Sequence, residues 1–244
     1  MLELQNISFS APSDGGEKEI LKNINLKTDD RFVAITGPNG GGKSTLAKII
    51  AGIEKPDTGR ILLDGEDVTE LGITERAKAG ISFAFQQPVR FKGITVLTVR
   101  DLITIAAGKK IGISEACKYL SEVGLCARDY IGREVDSSLS GGELKRIEIA
   151  TILARGTRLS IFDEPEAGID LWSFGNLITV FENMHKQFGG SIIIISHQER
   201  ILGIADKIIV IAGGEVKDFG ERERILPTLL GSPSACKTLT DKLG

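Results

Sequence analysis

Three short segments of this sequence carry residue types whose spacing can do chemistry on a phosphate. Gly37-Pro38-Asn39-Gly40-Gly41-Gly42-Lys43-Ser44-Thr45 satisfies the pattern GxxxxGK[ST]. Its glycines let the backbone turn its N–H groups toward a polyphosphate, and a helix starting immediately afterwards adds partial positive charge. Lys43 then neutralises the β- and γ-phosphates, and the Ser44 hydroxyl is a ligand for Mg²⁺. The second segment, Arg158-Leu159-Ser160-Ile161-Phe162-Asp163-Glu164-Pro165, ends an apolar run with two acids. Asp163 is suited to hold Mg²⁺ through water, and Glu164 to polarise an attacking water as general base. In the third, four isoleucines lead into Ser196-His197-Gln198. A lone histidine is more often structural than catalytic; here it ends a strand as the other two motifs do, and that shared placement singles it out.

Leu139-Ser140-Gly141-Gly142-Glu143 reads as a second anion-receiving helix start. Ser140 offers a hydroxyl, Gly141 and Gly142 expose backbone N–H, and an amphipathic helix with Leu144, Ile147 and Ile152 inward follows at once. A subunit with one phosphate cradle has no use for another unless the second serves a different molecule's nucleotide.

The elements that must position these residues follow from periodicity. Residues 2–9 alternate apolar and polar, as a half-buried strand does, and the turn-rich Ala11-Pro12-Ser13-Asp14-Gly15-Gly16 ends that run. A second strand is expected over 20–26, with Phe9 turned into the core. Phe32-Val33-Ala34-Ile35 reads as a buried parallel strand, followed by a helix over 44–51. Helical patterns dominate 88–155, at 99–107, 114–123 and 143–153, so a helical subdomain is expected to be inserted there. Strands return at 159–162, 191–195 and 207–211, with a helix over 171–188. This alternation predicts an α/β fold with a mostly parallel sheet covered by helices. Residues 1–87 and 156–244 then form the core of a single domain. A short helix and a polar, mobile end are expected after residue 221.

Composition narrows the class further. A chain of 244 residues that is 41% hydrophobic and 26% charged can bury an ordinary core, which excludes a disordered or collagen-like chain. A net charge of −3 without a lysine or arginine run gives nucleic acid no electrostatic footprint. The longest apolar runs are strand-sized, so no membrane insertion is expected. The first residues lack an export signal, which points to the cytoplasm. Cys117, Cys126 and Cys236 form no CxxC pair and read as free thiols.

With LSGGE standing about twenty residues before the Asp-Glu pair, the sequence resembles the ABC ATPase superfamily over nearly its whole length. The resemblance implies a P-loop ABC nucleotide-binding domain with a mixed β-sheet core and an inserted helical subdomain, which binds ATP with Mg²⁺ and works as an ATP-dependent homodimer. It implies that Ser140 and Gly142 of one subunit contact the γ-phosphate held by Lys43 of the other, with Gly141 and Glu143 in the same turn. Gln86 matches the Q-loop glutamine that links Mg²⁺ to the helical subdomain. Asp170, in Ala167-Gly168-Ile169-Asp170, matches the loop that crosses between subunits, and His197 the switch histidine that senses the γ-phosphate. Within the superfamily, Ala84-Phe85-Gln86-Gln87-Pro88-Val89 and His197-Gln198-Glu199-Arg200-Ile201-Leu202 are similar to the SufC-type ATPase of iron–sulfur cluster assembly. Like that type, the chain has Ala11 where transporter ATPases place an adenine-stacking tyrosine, and base preference stays open. The implied partner is a SufB/SufD-like scaffold, although Glu143-Leu144-Lys145-Arg146-Ile147-Glu148 and Pro165 depart from the SufC pattern. The alternative is a nucleotide-binding subunit docked on the membrane subunit of an ABC transporter. A DNA-associated clamp is disfavoured, because heptad arms and basic tracts are missing.

Overall fold

The computed structural model describes all residues except 14–15, 88–96, 137, 170, 188 and 232–244, and only the backbone of 171–173 and 187. In the first third, β1 (Leu2–Ser13), β2 (Gly16–Thr28) and β3 (Phe32–Thr36) lead into α1 (Lys43–Ala51). There follow β4 (Thr58–Leu63), β5 (Glu66–Asp67), α2 (Ile73–Lys78) and β6 (Ile81–Ala84). Four helices come next: α3 (Val99–Ala107), α4 (Ile113–Glu122), α5 (Ala127–Tyr130) and α6 (Gly141–Arg155). The chain then alternates β7 (Leu159–Asp163), α7 (Leu171–Gln187), β8 (Ser191–Ile195), α8 (Glu199–Leu202), β9 (Lys207–Ala212), β10 (Glu215–Glu221) and α9 (Arg222–Leu230).

Six strands form one sheet in the order β10-β9-β3-β8-β7-β6. All neighbours run parallel except β10, which returns antiparallel along β9. Every residue of β3 and β7 is buried, which is why both read as continuous apolar runs rather than alternating ones. Side chains of successive strand residues still point to opposite faces. Phe32, Ala34, Phe162, Ile192 and Ile194 join a core shared with the helices. Val33, Ile35, Ile161, Ile193 and Ile195 join a second core containing α1 and the other sheet.

The other sheet adds the antiparallel part of the mixed β-structure that the resemblance implies. It has four antiparallel strands in the order β2-β1-β4-β5. β1 does not stop at the turn-rich residues but pairs with β2 as far as Ser13. Its partner β4 begins Thr58-Gly59-Arg60, too polar a start to announce a strand. Phe9 packs partly buried against the second core, as its place in the alternation predicts.

A buried guanidinium anchors α1. Arg76, on α2 and only 1% exposed, donates to the carbonyls of Ile49, Ile50 (2.8 Å), Thr69 (2.8 Å) and Leu71 (3.0 Å). Two carbonyls of the last turn of α1, those of Ile49 and Ile50, thus face a full positive charge, which opposes the negative end of the helix dipole. Among the helices between β6 and β7, α6 packs on α3 and α4 through Val99, Ile103, Ala116, Leu120 and Ile147. Among the described residues no helix is long and apolar enough to cross a membrane.

Candidate functional site

β3, β8 and β7 are neighbours in the sheet and parallel, so their carboxyl ends open on one edge, where α/β sheets bind ligands. From β3 the chain enters the glycine loop. Gly37 has φ 132°, and a Cβ there would collide with the Ile211 carbonyl, so the loop lies directly on β9. Gly42 caps α1 with φ 101° and supplies no side-chain cap. The first-turn N–H groups of α1 therefore have neither an intrahelical nor a side-chain acceptor, which suits an anion. Pro38, Asn39 and Gly40 form the exposed rim, and Thr45 is half-buried in α1. Lys43 is 5% exposed, and its Nζ donates to the carbonyls of Gly37 (2.8 Å) and Pro38 (2.9 Å). Burial pulls its pKa down, against the opposing pull of Glu164 and Asp163.

Across the loop, the Ser44 hydroxyl donates to Asp163 Oδ1 at 2.9 Å. Asp163 is 5% exposed; burial raises its pKa, and the Ser44 hydroxyl works in the other direction. Glu164 follows with φ 44°, a left-handed conformation that a side chain of this size rarely adopts. It holds the carboxylate off the strand axis. Gln86 Nε2 donates to Glu164 Oε2 at 2.6 Å, and His197 Nε2 stands 3.6 Å from Glu164 Oε1. Burial, and then the charge of Lys43, lower the His197 pKa, while Glu164 pulls it up. The balance favours a neutral ring. The Ser44, Asp163 and Gln86 side chains supply oxygen donors, which fit a hard cation such as Mg²⁺. Among the described residues no group of three or more His, Cys, Asp or Glu is placed to hold a metal ion.

The structure thus brings residues 37–45, Gln86, Asp163, Glu164 and His197 to one edge. Ser140 to Glu143 stand elsewhere, at the start of α6, and no hydrogen bond among the described residues ties them to that edge. The Ser140 hydroxyl accepts from the Glu143 N–H at 3.3 Å, and Glu143 Oε2 accepts from the Ser140 N–H at 2.6 Å. This reciprocal cap consumes the Glu143 carboxylate, which also accepts from the Tyr130 hydroxyl and from Arg133 at 3.1 Å. Tyr130 first, with Ser140 and Arg133 adding to it, draws the Glu143 pKa down to about 2. A Cβ on Gly141 or Gly142 would meet nothing within 4 Å, so the turn faces open space. Asp170 lies outside the described residues.

Two polar ties escaped sequence reasoning. Lys145, 1% exposed, donates to the Phe85 carbonyl and to Glu148 at 3.0 Å, binding α6 to the residue before Gln86. Opposite charges at i and i+3 on a face flanked by Leu144 and Ile147 were the available signal. The Ser196 hydroxyl donates to Glu166 at 2.5 Å; nothing local in the sequence joins residues thirty positions apart.

A sequence model described as "ABC transporter" matches residues 21–167. The chain is 41% identical over 216 residues to an uncharacterised ABC transporter ATP-binding protein of Methanocaldococcus jannaschii, covering 86% of each. It is 34% identical to the sulfate/thiosulfate import ATP-binding protein CysA of Synechocystis sp., over 86% of this chain and 59% of that one. Among solved structures, a dimeric post-hydrolysis state of an ATP-binding cassette bound to ADP and Pi superposes with a TM-score of 0.77 at 26% identity. That match covers 91% of this chain and 99% of the other. A phosphate loop facing two acids and a histidine, in a cassette of this fold and this kinship, places the chain in the ABC transporter family as an ATP-binding, ATP-hydrolysing protein.

Proposed function

We propose that two copies of this chain close head to tail over two molecules of Mg-ATP and that the closure drives a conformational change in a partner. One observation carries the reading. The phosphate loop, acids and histidine share an edge, while the Ser140-Gly141-Gly142 turn faces away into open space. One copy therefore holds half of each site. In the closed pair Ser140 and Gly142 meet the γ-phosphate held by the other copy's Lys43, and Asp170 lies where the copies cross. Ser44, Gln86 and, through water, Asp163 would hold Mg²⁺, which would supply positive charge against the phosphates. Glu164 takes a proton from the attacking water, and neutral His197 reads the γ-phosphate. Hydrolysis removes the contacts that bridge the copies and lets them part. The dimeric ADP-bound cassette supports this cycle.

The helices over 88–155 are proposed to move as one inserted subdomain and to receive the partner. A cavity of about 210 Å³ between α3, α6 and β6, lined by Phe85, Leu102, Ala106 and Ile147, lies beside the Gln86 segment. The names of the relatives, an import ATP-binding protein among them, favour the membrane subunit of a transporter as that partner. A soluble SufB/SufD-like scaffold is a second reading. It rests on the likeness of residues 84–89 and 197–202 to the SufC type. Affinity purification of the tagged chain from its native cells separates the two. A polytopic membrane protein in the eluate supports the first, and an iron-carrying soluble scaffold the second. Size-exclusion chromatography that shows no larger species with ATP under any condition, alongside full turnover, defeats the paired mechanism itself.

A further inference from the structure

The segment after Glu164 contains a carboxylate that the proposed cycle does not use. Glu166 Oε1 accepts the Ser196 hydroxyl proton at 2.5 Å. Ser196 is fully buried and directly follows β8, and its oxygen accepts the Gln198 N–H at 3.0 Å. The hydroxyl of the residue immediately before His197 is therefore tied to Glu166. The other oxygen, Oε2, is buried and has no hydrogen-bond partner. Burial accordingly raises the Glu166 pKa. A half-satisfied buried acid is costly, and such groups persist where they serve a purpose beyond packing.

The backbone is built around the same contact. The Glu164 N–H donates to the Ile195 carbonyl at 3.0 Å, the Ala167 N–H to the Glu164 carbonyl at 3.0 Å and the Ile169 N–H to the Glu166 carbonyl at 3.1 Å. A tight turn thus follows Glu164, and it aims Glu166 at the neighbouring strand end.

We propose that Glu166 is a positioning residue: it ties the turn that follows Glu164 to the loop that presents His197, and so sets the 3.6 Å separation of the His197 ring and the Glu164 carboxylate. Glu166 touches neither nucleotide nor water. It acts through His197. The inference rests on the reading of Glu164 and His197 as base and phosphate sensor.

Steady-state ATPase kinetics of four variants test it: Glu166→Ala, Glu166→Gln, His197→Ala and the Glu166→Ala/His197→Ala double. Glu166→Ala is expected to lower kcat about tenfold or more with KM within about twofold, because a misplaced group costs rate rather than binding. Glu166→Gln keeps an acceptor for Ser196 and is expected to stay within about threefold of wild type. In the His197→Ala background the second substitution is expected to add nothing. Ser196→Ala removes the donor to Glu166 together with the acceptor of the Gln198 N–H, and it should reproduce the Glu166→Ala effect, which keeps the test open should Glu166→Ala fold poorly. If Glu166→Ala turns over at the wild-type rate, or its loss multiplies with that of His197→Ala, the positioning role is wrong while the site reading stands. If His197→Ala itself is unimpaired, both fall.

Discussion

Gln86 and Glu164 stand 78 positions apart in sequence, yet the Gln86 side-chain amide donates to Glu164 Oε2 at 2.6 Å. Lys145 holds the residue before Gln86 by its carbonyl, so the helix that begins at Ser140 reaches Glu164 through two polar contacts. The Gln86 segment and the turn at Ser140 are thereby joined through one helix.

Removing the charge from Glu164 separates binding from hydrolysis. Glu164→Gln is expected to bind ATP as wild type does and to lose about 10²-fold or more in kcat, the scale of a missing general base. The uncleaved nucleotide then keeps two copies together. Size-exclusion chromatography with and without ATP should show the larger species in the variant; unchanged hydrolysis removes Glu164 as the base.

Complementation tests the shared site. Ser140→Arg and Lys43→Ala are each expected to be inactive alone, since each spoils both sites of its own pair. An equal mixture forms mixed pairs with one intact site of two, which predicts a return to about a quarter of wild-type activity. Full activity of either variant alone contradicts the shared arrangement.

Arg76 is a prediction about stability. Arg76→Met keeps length and volume but strips charged donors from four backbone carbonyls. A loss of at least about 3 kcal/mol is expected, because hydrogen bonds to a charged group contribute most when the partners left behind are buried. For a domain of this size that is a drop of about 6 to 12 °C in thermal midpoint. A midpoint within two or three degrees of wild type shows that water replaces the guanidinium.

Glu143 supplies a pH signature. Its folded pKa is depressed to about 2 from an ordinary 4.5, chiefly by the Tyr130 hydroxyl. The unfolded chain binds this proton more readily, so the contribution to stability is complete above about pH 4.5 and declines as pH falls toward 2. Urea midpoints of wild type and Glu143→Gln are expected to differ at pH 7 and to converge progressively below pH 4.5. A gap that stays constant with pH assigns the effect to shape rather than charge.

Much of the site was legible because it is local. Strand, glycine turn and helix are consecutive over residues 32–51, so the Lys43 cradle follows from the order of residue types and from the conformations that glycine permits. Asp163 and Glu164 after an apolar run, Ser196 and His197 after four isoleucines, and Ser140 three residues before Glu143 are likewise short patterns with a steric or capping reason. What only the tertiary structure decided is which strand ends are neighbours. The order β3-β8-β7 brings Ser44 to Asp163 and Glu164 to His197, and the antiparallel sheet forms through pairings of β1 with β4 that a half-exposed strand does not announce. Arg76 and Glu166 carry no local sign of their contacts in sequence, and Lys145 only its spacing from Glu148. Each is enclosed because carbonyls or hydroxyls from distant segments arrive around it, and a local window of residue types holds no record of that arrival.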